Sequence, residues 1–100
     1  MTTNLNNGNP TKPYYTLDYI RHYFTYQIAQ WYNTHYPNRS TTGHVTSITT
    51  YGPNDEHLHI KYAENHDGGH PMYDIINECD IPYYSTYTPD QLYAAWQESV

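Results

Sequence analysis

The sequence predicts a small single-domain α+β fold in the order α-β-β-α-α, with an N-terminal helix and C-terminal helices packed on a β-hairpin. Three observations predict it. Apolar residues recur at steps of three and four over residues 17–35. Two runs of β-type residues flank the turn tetrapeptide Gly52-Pro53-Asn54-Asp55. A helix start signal, Thr88-Pro89-Asp90-Gln91, stands near the C-terminus. The chain's 100 residues hold one core, and a lone hairpin is marginal, so helices must cover one of its faces.

The elements follow in order. Residues 1–13 are mostly Thr, Asn, Gly and Pro, with a single Met, Leu and Lys, and read as a flexible arm. The domain spans residues 14–100. Thr16 is an N-cap for a helix from Leu17 to His35, and Asp18 suits the positive end of its dipole. Pro37 ends it. Leu17, Ile20, Phe24, Ile28 and Trp31 form its core stripe, while Tyr19, Tyr23 and Tyr26 line the other side. Residues 44–51 read as one strand. Residues 57–63 read as a second, with Leu58, Ile60 and Tyr62 on one face and His57, His59 and Lys61 on the other. Residues 64–70 form a loop. Pro71 opens a short helix with Met72, Ile75, Ile76 and Cys79 at helical spacing. Residues 80–87 are extended, and Ile81–Tyr87 offers a third strand. The capping box at Thr88 and Gln91, with Pro89 at the first helical position, starts the last helix. Leu92, Ala95 and Trp96 form its buried face.

Composition sets the class. Leu, Ile, Val and Phe are scarce, which by itself points towards disorder. Fourteen tyrosines and two tryptophans in periodic segments reverse that reading, because each buries a large area. Cys79 is the single cysteine, so no intrachain disulfide forms. No basic and apolar leader and no membrane-length apolar run is visible, so a cytoplasmic protein of a host cell is expected. A core this small also favours homodimerisation or stabilisation by a partner.

Charge is one-sided. Residues 63–100 contain no Lys or Arg and carry seven carboxylates: Glu64, Asp67, Asp74, Glu78, Asp80, Asp90 and Glu98. Residues 1–62 are nearly balanced, and the whole chain is −6. Such a field repels nucleic acid and membranes and attracts basic protein surfaces. Seven histidines would cancel it if all were protonated, so charge-driven binding should weaken in mild acid.

Three constellations follow. Carboxylates alternate with tyrosines in the C-terminal part, giving a contact region of Asp74, Glu78, Asp80, Tyr83, Tyr84 and Asp90. Carboxylates imitate phosphates, and aromatic rings fill channels where bases stack. Tyr19, Tyr23 and Tyr26 make a second surface, since tyrosine supplies stiff amphipathic contact area. His57, His59, His66 and His70 offer imidazoles of the type that bind Zn²⁺, Ni²⁺ or Cu²⁺, without paired cysteines or an established spacing. No nucleophile elbow, phosphate loop or dinucleotide fingerprint is present, and Cys79 falls on an apolar stripe.

In general composition the chain resembles small acidic accessory proteins of phages and other mobile elements, among them anti-CRISPR and antirestriction inhibitors of host nucleases. That likeness carries no residue assignment. The leading expectation is a non-enzymatic inhibitor that blocks a basic, nucleic-acid-handling surface of another protein, with no cofactor. The alternatives are a histidine-based metal-binding module, a toxin-neutralising immunity protein and a hydrolase of unspecified type.

Overall fold

The computed structural model describes residues 15–38, 41–66 and 74–100. The expected arm and the start of the expected helix at Pro71 lie outside the described residues. Helix α1 (Leu17–His35) is followed by strands β1 (Thr42–Tyr51), β2 (His57–Asn65) and β3 (Asp74–Ile81), a single 3₁₀ turn (Tyr84–Thr86) and helix α2 (Pro89–Ser99). The three strands form one antiparallel sheet in the order β1-β2-β3. The α+β class, the two capped helices and the hairpin are as the sequence predicts.

Local chemistry explains both helix starts. The Thr16 hydroxyl accepts from the Tyr19 N–H at 3.1 Å. At α2 the Thr88 hydroxyl accepts from the Gln91 N–H, and the Gln91 side chain accepts from the Thr88 N–H. The β1–β2 turn needs positive φ at Gly52 (98°), and the Asp55 N–H donates to the Gly52 carbonyl. A bulge between Val45 and Ser47 lets β1 keep Ile48 inward beside Ile60.

Both helices lie on one face of the sheet. α1 buries Ile20, Phe24, Ile28 and Tyr32. The sheet meets them with Ile48, Leu58, Ile60, Tyr62, Cys79 and Ile81, and α2 adds Leu92 and Trp96. Trp96 is the hub of this core. Its ring contacts Trp31 of α1 edge-on, Tyr62 of β2 at 5.3 Å and Tyr93 of its own helix. Tyrosine thus does work that Leu or Phe does elsewhere. Tyr32 is fully buried, and its hydroxyl donates to Glu64 at 2.6 Å, which satisfies the one polar atom the ring brings inside.

Two details correct the sequence reading. Asp74–Ile81 is a strand, not the second half of a helix, and Ile75 and Ile76 are about half exposed. The segment reads both ways. At helical spacing Ile75, Ile76 and Cys79 cluster, whereas at strand spacing Cys79 and Ile81 point inward and Glu78 and Asp80 outward. β2 decides between them, because its second edge needs a hydrogen-bonding partner once β1 has taken the first. The third strand therefore precedes the Ile81–Tyr87 stretch, which instead turns through Tyr84–Thr86.

Candidate functional site

The sheet face away from the helices is the candidate site. Alternation along β2 sends Leu58, Ile60 and Tyr62 into the core and His57, His59 and Lys61 to the other side. Register places Thr49 and Asp80 on either side of His59, Ser47 and Glu78 on either side of Lys61, and Tyr51 beside His57. This half of the face is open, whereas Ala63 and Asn65 further along β2 are buried.

His59 sits between two carboxylates. Its Nδ1 lies 2.6 Å from Asp80 and its Nε2 lies 3.0 Å from Glu78. Both acids keep more than half of their side-chain surface in solvent. His57 anchors an aromatic corner. Its ring packs on Tyr51 at 5.0 Å and edge-on to Tyr83 at 4.7 Å, and its Nδ1 accepts from the Tyr83 N–H. The Tyr84 N–H donates to the Glu56 carbonyl, which straps this corner to the hairpin turn.

Tyr83 is held at φ 53°, ψ 48°, in the left-handed region. A bulky side chain there costs about 1–2 kcal/mol. Its ring stays mostly in solvent, 58 % exposed, so burial does not offset that cost. Strain held at an exposed aromatic ring makes Tyr83 a candidate site residue.

The structure redistributes the expected contact residues. Glu78, Asp80 and Tyr83 converge on the open sheet face. Tyr84 turns away from it, and its carbonyl accepts from the Tyr15 hydroxyl. Asp90 belongs to the helical layer, where its carboxylate accepts from the Tyr23 hydroxyl at 2.5 Å. Asp74 opens β3. Tyr15, just before α1, and Tyr19 and Tyr23 of α1 form a ladder with ring spacings of 6.3 and 6.1 Å. Tyr19 and Tyr26 are exposed, while Tyr23 is half-buried against Tyr93 and Asp90. Burial and the Asp90 contact push the Tyr23 phenol above its ordinary range. There are thus two aromatic–acidic surfaces, one on each layer.

The expected four-histidine site does not assemble among the described residues, where no three His, Cys, Asp or Glu side chains are placed to hold a metal ion. His66 lies seven residues along the chain from His59, ~23 Å at strand rise, so the two cannot share an ion. His70 lies outside the described residues.

His66 belongs instead to a chain that sequence reading missed. The Thr41 hydroxyl lies 3.0 Å from Nδ1 of His66, Nε2 of His66 lies 3.3 Å from Glu64, and the other Glu64 oxygen takes the Tyr32 hydroxyl. With the neutral imidazole protonated on Nε2, every bond has a donor and an acceptor. The order hydroxyl–imidazole–carboxylate is that of a nucleophile and its base. Thr41 is buried, however, and the carboxylate is tied to a core tyrosine, which makes the chain a cross-link between α1, β1 and β2. Only a residue's place in space links Thr41 to His66, so sequence spacing carried no signal for it.

Cys79 is buried, and that burial raises its thiol pKa, disfavouring the nucleophilic thiolate. A groove of about 300 Å³ between the helices is lined by Gln27, Gln30, Trp31, Thr34, His35, Tyr93 and Gln97, without a carboxylate. No described helix is long and apolar enough to cross a membrane. No family model, curated protein or solved structure matches this chain.

Proposed function

We propose that this chain is a non-enzymatic binding protein that occupies a basic, nucleic-acid-handling surface of another protein and blocks it. It would act as phage and mobile-element inhibitors of the anti-CRISPR or antirestriction type do. The open sheet face carries the reading. Glu78 and Asp80 stand there in solvent beside the rings of Tyr51 and Tyr83, and Lys61 is the one Lys or Arg that the described strands place among them. The other described basic residue, Arg21, is paired with Asp18 at 2.8 Å on α1. Carboxylates steer a basic partner in, and rigid tyrosines anchor it.

The test is affinity capture from bacterial lysate at low and high salt, with wild type, Glu78→Gln/Asp80→Asn and Tyr83→Ala in parallel. The expected result is a nucleic-acid-handling protein retained by wild type at low salt, weakened by salt and by both variants, and inhibited when bound. Capture of a toxin would assign the immunity role to the same surface. Retention that neither variant alters would refute the site.

A further inference from the structure

We propose that β3 is a docking edge that takes an extended basic segment of the partner as a fourth strand of the sheet. The inference rests on the binding reading above and supplies its mode of recognition.

β3 is the outer strand of the sheet, with β2 on its inner side and no described strand beyond it. Its outward N–H and C=O groups are therefore a template for another strand. The opposite edge, β1, is less suited. It is interrupted by the bulge at Val45/Ser47, and its residues 42–51 include no Asp, Glu, Lys or Arg. β3 is uninterrupted in its pairing to β2 from Asp74 to Ile81, and it alone places acids on the open face.

Register decides against a second copy of this chain. A two-fold axis that pairs β3 with itself antiparallel must bring residues of the same face opposite one another. Every such register that overlaps more than three residues of Asp74–Ile81 then sets Asp74 opposite Glu78 or Asp80, Glu78 opposite itself, or Glu78 opposite Asp80. Like charges directly opposed destabilise a ladder. The same positions favour a strand whose Lys or Arg residues recur at every second place. Two such side chains fall opposite Asp80 and Glu78, and an apolar one follows opposite the exposed Ile76.

The probe is the capped peptide Thr-Lys-Val-Lys-Val-Ile-Thr, titrated into the isotopically labelled full chain and followed by NMR. Two further peptides carry N-methyl groups, one on both lysines and one on both valines. Each blocks one edge of an extended strand while keeping the charge. The expected result is shift changes centred on the amides of residues 74–81, with binding kept by one N-methylated peptide and lost by the other. Glu78→Gln/Asp80→Asn, with its fold checked by circular dichroism, should weaken binding by about tenfold.

Equal binding of both N-methylated peptides would overturn strand addition and leave charge contact alone. Shifts centred on the α1 tyrosines, no binding of the parent peptide, or equal binding of a peptide with Thr in place of both lysines would also overturn it. So would a stable dimer in sedimentation that the peptide dissociates. Capture of a nucleic-acid-handling protein alongside any of these outcomes would leave the functional reading standing. Strand addition without such a capture would do the reverse.

Discussion

Gly43→Ala tests a close contact between a glycine and a core ring. Gly43 is buried in β1 and faces the ring of Tyr32, and a Cβ built on it would overlap the Cδ2 and Cε2 atoms of that ring. The ring has no simple retreat. It is fully buried, stacked with Tyr36 at 5.8 Å, edge-on to Trp31 at 5.0 Å, and bonded through its hydroxyl to Glu64. Overpacking of this kind costs about 1–3 kcal/mol. If the ring yields, it also loses a hydrogen bond to a charged acceptor, worth roughly 1.5–3 kcal/mol. Together a loss of about 2.5–6 kcal/mol is a large share of the ~5–15 kcal/mol expected of a whole domain. At this chain length it lowers Tm by at least about 10 °C. The assay is urea unfolding of wild type, Gly43→Ala, Tyr32→Leu and the double variant. In the Tyr32→Leu background, Gly43→Ala should cost less than about 1 kcal/mol, because the flat ring it meets is gone. A single variant within about 0.5 kcal/mol of wild type would refute the reasoning.

Three further outcomes follow from the same structure. Tyr83→Gly removes the left-handed strain and an exposed ring, so stability should change by less than about 1 kcal/mol while partner affinity falls by about 2 kcal/mol or more; equal affinity of the two proteins in a binding titration would remove Tyr83 from the site. Thr88→Ala deletes the hydroxyl that accepts from the Gln91 N–H, and should cost about 1 kcal/mol in denaturant unfolding, with no effect counting against the capping box. In alkali, burial pushes the Tyr15 phenol up to about 12 from 10.0, and burial with carboxylate contacts raises Tyr23 and Tyr32 as well. Below pH 10 these phenols keep their protons in both states, so stability is unaffected; above it the unfolded chain ionises first, and stability falls by up to about 1.4 kcal/mol per pH unit for each, less where solvent screens. Phenolate absorbance of these three should therefore rise with unfolding, and their full ionisation in a protein that keeps its folded circular dichroism would contradict the assignment.

Much of the architecture was legible in the chain because its causes are local. Thr16, and Thr88 with Gln91, satisfy the free N–H groups of their own helices, so both helix starts can be read without knowing what the helices touch. The turn at Gly52–Asp55 and the alternation of Leu58, Ile60 and Tyr62 likewise depend on neighbours in sequence. The acidic character of the C-terminal part is a matter of composition, and the residue types of the site, Glu78, Asp80 and Tyr83, could be named from it.

Tertiary structure decided the rest. Residues 74–81 carry both periodicities, and only the unfilled edge of β2 selects the strand, which turns Ile76 outward and aligns Glu78 and Asp80 on one face. Asp90 left the expected acidic patch for Tyr23 because the helices meet there, residues 67 apart in sequence. The chain Thr41–His66–Glu64–Tyr32 draws on a helix, the start of one strand and the end of another. Local sequence determines which element can form. Which face is covered, and so which polar groups remain to meet a partner, depends on how distant elements compete for the same buried surface.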